Sequence, residues 1–254
     1  MTIFYFSATG NSLYVAKEIG GTLYSIPQCS KNKESVFEDD AIGFVFPCYG
    51  FGIPNLVKHF IEHGKFKAAY FFAVTTYGNT PGNCMEYTKR AAQKAGFSFD
   101  YCRNILMIDN YLPVFRIEQQ LEKEPQKNIP QNLKQIVSDI HARKKQDIHK
   151  GLGTSVMSSV IQSVASLRKG DVDKRFWVND NCTKCGTCRK VCPKGNISIA
   201  EKPVYHHQCD FCLACINFCP QKAIQLKGQK SGERFSNPHI KTAEIIAANN
   251  QFKD

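Results

Sequence analysis

Eight of the chain's 12 cysteines fall in two runs of one design. The first reads Cys182-Thr-Lys-Cys185-Gly-Thr-Cys188-Arg-Lys-Val-Cys192-Pro193, the second Cys209-Asp-Phe-Cys212-Leu-Ala-Cys215-Ile-Asn-Phe-Cys219-Pro220. Each cysteine of the second run stands 27 residues after its counterpart, 182 to 209 through 192 to 219, and Ile197 and Ile224 keep the same offset. This is a duplicated loop–turn unit. Thiolates at such short intervals can wrap one face of an iron–sulfur cube, and a proline after the last one turns the chain away. The rival chemistry is a pair of four-cysteine zinc sites, which does not by itself account for these intervals and a proline, twice.

The two runs resemble the ligand runs of bacterial ferredoxins that carry two 4Fe-4S clusters. That resemblance implies that the fourth cysteine of each run serves the other cluster. One set is then Cys182, Cys185, Cys188 and Cys219, and the other Cys209, Cys212, Cys215 and Cys192. Cys29, Cys48, Cys84 and Cys102 lack paired spacing and read as small buried hydrophobes in a reducing compartment.

A second constellation opens the chain. Thr2 to Phe6 is β-branched and aromatic, Ser7-Ala8-Thr9-Gly10-Asn11-Ser12 follows, and Leu13, Val15, Ala16 and Ile19 then recur at helical spacing. Strand, hydroxyl-rich turn and helix aim N–H groups and a positive helix end at one point, an anion site. The loop has neither a GK[ST] sequence nor the three glycines of GxGxxG, so it is no triphosphate loop or dinucleotide fingerprint. The competing reading is a plain N-capped helix. The stretch is similar to the flavodoxin phosphate loop, [ST]-x-T-G-N-[ST], which implies the phosphate of FMN as ligand, held by Ser7, Thr9, Gly10, Asn11 and Ser12.

These sites need elements to position them. Thr22–Ile26, Ala41–Phe46, Ala69–Thr75 and Phe99–Ile108 read as further strands, and Leu56–Ile61, Cys84–Ala95 and Leu133–Ile140 as helices. The expected fold is α/β: a flavodoxin-like, doubly wound, parallel five-stranded sheet of order 2-1-3-4-5, then a small α+β bicluster ferredoxin domain. Ligands of such sheets sit beyond the carboxyl ends of the strands. There the chain carries Pro47-Cys48-Tyr49-Gly50-Phe51-Gly52, then Thr76-Tyr77-Gly78-Asn79, then Asn110-Tyr111. Tyr77 and one of Tyr49 or Phe51 would sandwich the ring, and Gly50, Gly52 and Gly78 would admit it closely. Turn glycines and an Asx turn at Asn110 and Tyr111 are the plainer alternatives.

At 254 residues the chain has room for one ordinary domain and a small one. We expect an FMN domain over 1–150, a helical connector over 151–174, the cluster domain over 175–228 and a tail over 229–254. Leu152, Val156, Val160, Val164 and Leu167 form the connector's stripe. The formal charge of +11 falls to about +5 once two clusters and a flavin phosphate are counted. The cations of the small domain, Arg175, Lys184, Arg189, Lys190, Lys194, Lys202, Lys222 and Lys227, offset that charge or offer a face to an acidic redox partner. Without a basic stripe interleaved with aromatics, nucleic acid is not an expected partner. No signal peptide or membrane span is evident, so a soluble, cytoplasmic protein is expected.

Taken whole, the chain resembles the flavodoxin–bicluster ferredoxin fusion family of anaerobic bacteria and archaea, over about residues 1–112 and 176–226. The resemblance implies electron transport between two 4Fe-4S clusters and FMN, exchanged with redox partner proteins. A flavin-dependent reductase, with Asp109 and Tyr111 as acid–base groups, and a redox or oxygen sensor are the other classes open to these residues.

Overall fold

The computed structural model describes residues 1–31, 36–148 and 171–250; the stripe expected over 152–167 lies outside them. The chain begins with β1 (Thr2–Tyr5), α1 (Asn11–Ile19), β2 (Thr22–Ser25) and α2 (Ile26–Cys29). It continues through β3 (Val36–Glu38), β4 (Ala41–Pro47), α3 (Asn55–His63), β5 (Lys65–Lys67) and β6 (Tyr70–Tyr77). Then come α4 (Cys84–Lys94), β7 (Tyr101–Leu106), α5 (Ile117–Glu122) and α6 (Ile129–His141).

Five parallel strands form the sheet β2-β1-β4-β6-β7. Numbered within the sheet, this is the expected order 2-1-3-4-5. Helices cover both faces, so β4 and β6 are buried almost throughout, as their unbroken apolar runs require. Gly43 leaves room for the Phe72 ring, which a Cβ there would meet at 2.0 Å. One core cluster joins β1, α1 and α6; the other is an aromatic layer around Phe4, Phe44, Phe60 and Phe71. Beside the main sheet, β3 and β5 make a short parallel pair.

The small domain carries β8 (Phe176–Val178), β9 (Ile197–Ile199), β10 (Pro203–Tyr205) and β11 (Ile224–Leu226). β8 pairs antiparallel with β11, and β9 with β10. Within the stretch expected as a tail, a helix spans Thr242–Ala248. Among the described residues no helix is long and apolar enough to cross a membrane.

Candidate functional site

The 27-residue duplication is a duplication of conformation. Short helices at Thr187–Lys190 and Ala214–Asn217, strands β8 and β10, and strands β9 and β11 are all related by that offset. Left-handed residues also recur in pairs: Lys184 and Phe211, Gly186 and Leu213, Gly195 and Lys222. These turns bring backbone N–H groups onto sulfur. Asn196 donates to Cys192 Sγ at 3.3 Å and Ala223 to Cys219 Sγ at 3.2 Å, again 27 residues apart, and Phe211 donates to Cys209 Sγ at 3.3 Å. Such bonds tune cluster potentials. Leu213 accepts a left-handed backbone while its side chain is buried in the small domain's core.

The cysteines fall into two groups. Cys182, Cys185, Cys188 and Cys219 line one cavity of about 330 Å³, open to solvent. Cys192, Cys209, Cys212 and Cys215 lie within one another's electrostatic field. The first group is the outer one: Cys185 is exposed, and the Thr187 hydroxyl and N–H hold its thiol below the usual range. The second is inner. Burial, then the neighbouring thiolates, push Cys212 and Cys215 well up, while burial pushes Cys209 up to about 12. Cys212 also packs against both core clusters of the α/β domain. Among the described residues no three metal-binding side chains converge tightly enough for a single ion. Tyr205 borders both groups, beside Cys215, Cys188 and Cys209, with its ring 5.4 Å from Phe176.

The loop after β1 wraps the N-terminus of α1. Gly10 takes φ +101 and begins the helix without a side-chain cap, so the polar side chains are employed elsewhere. Asn11 donates to the Ile108 carbonyl at 3.1 Å, the Ser12 and Thr76 hydroxyls meet at 2.9 Å, and Asn110 donates to the Thr9 hydroxyl. Three of the loop's acceptors are also engaged. The Gly10 carbonyl takes the Tyr14 N–H at 2.8 Å, the Thr9 carbonyl takes the Asn237 N–H at 2.8 Å, and Asn11 Oδ1 takes the Asn237 amide at 3.1 Å. The first N–H groups of a helix have no intrahelical acceptor. The backbone N–H groups at this helix start are a donor set whose chemistry suits the phosphate of FMN.

The ring loops converge on the same edge. Tyr49 and Gly52 exchange two backbone hydrogen bonds of 2.9 Å, and Phe51 between them takes φ +66. The Tyr49 hydroxyl is enclosed beside Cys212, Asp210 and Cys209 of the small domain, and burial pushes its pKa far up. Tyr77 and Pro47 are half-buried, Thr76 is buried, and Gly50 and Asn79 are exposed. At Gly78 the space a side chain would fill holds the Asp109 carboxylate, 2.3 Å from an added Cβ, so its lack of a side chain is needed by Asp109. Asp109 Oδ1 accepts the Tyr111 N–H at 2.9 Å, an Asx turn, and the Tyr111 ring lies edge-on to Phe211 at 6.0 Å.

Sequence reasoning passed over four residues here. Lys127, 7% exposed, donates to the carbonyls of Met107 at 2.8 Å and Gly78 at 3.1 Å. It lies in a polar, proline-bearing stretch that hid its burial. Asp210 and Tyr205 stand out only once the cysteine groups are assembled. Asn237 belongs to a polar tail, and its one local signal is the Asn237-Pro238 pair.

A 4Fe-4S binding domain model matches residues 176–198. One protein of the ion-translocating oxidoreductase complex of Methanosarcina acetivorans is 42% identical over 48 residues, 18% of this chain and 18% of that protein, so the chain spans less than a fifth of it. The pyruvate synthase subunit PorD of Methanothermobacter marburgensis is 35% identical over 57 residues, 22% of this chain and 69% of that protein. Among solved structures, two-electron reduced Megasphaera elsdenii flavodoxin is 19% identical over 41% of this chain and 83% of its own, with a TM-score of 0.30. The Trp repressor binding protein of Bacillus subtilis is 12% identical over 58% of this chain and 99% of its own, with a TM-score of 0.36. At those TM-scores neither likeness bears on the ligand. The sequence relatives do bear on the small domain, through which this chain belongs to the proteins with a 4Fe-4S binding domain.

Proposed function

We propose that the chain is an electron carrier that holds two 4Fe-4S clusters in its small domain and FMN at the carboxyl edge of its parallel sheet. The outer cluster's ligands are Cys182, Cys185, Cys188 and Cys219, and the inner cluster's are Cys192, Cys209, Cys212 and Cys215. One observation carries the reading: the inner cysteine group lies against the ring loop, with Cys212, Asp210 and Cys209 around the Tyr49 hydroxyl, while the outer group opens to solvent at Cys185. The order is therefore solvent, outer group, inner group, ring loops.

Clusters in these positions would supply one-electron chemistry, and a flavin would add a two-electron store. The chain's own residues do the rest. Exposed Cys185 lets a partner protein approach the outer group. Buried Cys215 and half-buried Cys212 limit the access of water to the inner one. Tyr205 lies beside Cys188 of the outer group and Cys215 and Cys209 of the inner one. Thr9, Gly10, Asn11 and Ser12 present donors to the phosphate, Ser7 sits at the loop's entrance, and Tyr49, Phe51 and Tyr77 flank the ring position. Exposed Arg189, Lys190 and Lys194 line a cleft with Cys192 in its wall, which suits an acidic redox partner. Asp109 is tied into its Asx turn and packed on Gly78, which disfavours the reductase reading that would use it as an acid–base group.

Anaerobic purification with metal, sulfide and flavin analysis tests the proposal. The expected result is about 8 iron and about 8 sulfide per chain, with about one FMN. Zinc in place of iron would overturn it, and iron without flavin would remove the FMN half.

A further inference from the structure

The segment from Phe235 to Glu244 touches three parts of the molecule. The Phe235 N–H donates to Asn217 Oδ1 at 3.0 Å, and Asn217 lies two residues past Cys215. Asn237 then reaches the loop after β1: its backbone N–H bonds the Thr9 carbonyl at 2.8 Å and its side-chain amide bonds Asn11 Oδ1 at 3.1 Å. Its own Oδ1 accepts the His239 N–H at 3.0 Å, fixing the amide's orientation so that the nitrogen faces Asn11. Both ends of this contact are buried, Asn237 at 4% and Asn11 at 9% exposure. Gly10 is closed in by the same segment: an added Cβ would lie 2.9 Å from Asn237 Cβ and 3.1 Å from Ile240 Cβ. The His239 ring stacks on Tyr14 of α1 at 4.5 Å and 15°.

We propose that Asn237 is a positioning residue for the phosphate loop, holding Thr9 and Asn11 from outside so that the loop's remaining donors face a flavin phosphate, and tying that loop to the helix that carries Cys215. This rests on the FMN reading above. The physical reason is a sorting of acceptors. A loop with a free carbonyl and a free amide oxygen beside its N–H groups would repel a dianion; Asn237 satisfies the Thr9 carbonyl and Asn11 Oδ1. The Asn11 amide is held at its other end by the Ile108 carbonyl at 3.1 Å, so both halves of that side chain are fixed before any ligand arrives.

The test is to measure FMN and riboflavin affinity by quenching of flavin fluorescence, on anaerobically prepared protein of verified iron content. Riboflavin has the ring and lacks the phosphate. Asn237→Ala is expected to weaken FMN binding about 10-fold, the equivalent of one buried hydrogen bond, with riboflavin binding and iron content unchanged. Asn237→Asp, which cannot donate to Asn11 and adds a negative charge, is expected to weaken FMN further and again spare riboflavin. Equal FMN affinity in wild type and Asn237→Ala would overturn the role of Asn237 while leaving the FMN reading intact. Equal losses for FMN and riboflavin would overturn it as general damage. A wild-type protein that binds neither flavin would overturn the FMN reading and this inference together.

Discussion

Tyr49 of the α/β domain lies in the electrostatic field of Asp210, Cys209 and Cys212 of the small domain, and Tyr49 and Asp210 each have a buried oxygen with no hydrogen-bond partner among the described residues. An enclosed, unsatisfied polar group costs about 1–3 kcal/mol. At Tyr49 the packing of one domain on the other is therefore achieved against a polar cost. Tyr49→Phe removes the hydroxyl and keeps the ring, so stability should stay level or rise by about 1 kcal/mol. Thermal unfolding of the iron-loaded protein checks this; a clear fall in Tm would mean that the hydroxyl has a partner.

Cys219 belongs by sequence to the second run and by position to the cavity lined by Cys182, Cys185 and Cys188. Cys219→Ala should therefore deplete the outer cluster and spare the inner one, leaving about 4 of about 8 iron atoms. Cys192→Ala should do the reverse. Iron analysis with EPR of the reduced protein separates the two. If Cys219→Ala and Cys192→Ala removed the same EPR signal, the crossed assignment would be wrong.

The cysteine intervals and the long apolar strands were legible because each follows from a local rule: a ligand geometry in one case, two-sided burial in the other. The same rules say little about short elements whose partners are remote. Residues 113–130 are polar, hold Pro125 and carry no helical stripe, yet α5 forms there with Ile117 and Gln120 buried, and a 3₁₀ turn, Glu124–Lys127, delivers Lys127 to the sheet. β3 forms although Val36 is 61% exposed, because β5 supplies a parallel neighbour. Asn237 was invisible for a further reason. Its partners, Thr9 and Asn11, lie more than two hundred residues away, and no periodicity records such a contact.

Lys127 is the buried cation of the α/β domain's carboxyl edge. Burial pulls its pKa down, and the Asp109 carboxylate partly offsets that; burial conversely pushes Asp109 up. Lys127→Met keeps the stem and removes the ammonium. The carbonyls of Gly78 and Met107 then lose a donor, and Asp109 loses its countercharge. The expected cost is about 2–3 kcal/mol, read from chemical denaturation. An unchanged midpoint would show that water reaches these carbonyls.

The terminal helix is held to α1 by an ion pair between Lys17 and Glu244, and Glu244 also accepts the Lys241 N–H at 2.9 Å. The Lys17 ammonium first, then that N–H, holds the Glu244 carboxyl below its usual value of 4.5. A depressed carboxyl pKa contributes stability that is present in full above the unfolded value and is lost as pH falls through the folded one. The pair is partly exposed, so its contribution is at most about 1 kcal/mol and shrinks with salt. The protection factors of residues 242–248, taken against intrinsic exchange at each pH, should fall below about pH 4.5 in the wild type. In Glu244→Gln they should already be lower at neutral pH, by at most about 5-fold, with little further change on acidification. Protection factors unchanged in Glu244→Gln would place the anchoring of this helix on Ile245 and Ala248 alone, the residues it buries in the core shared with α1.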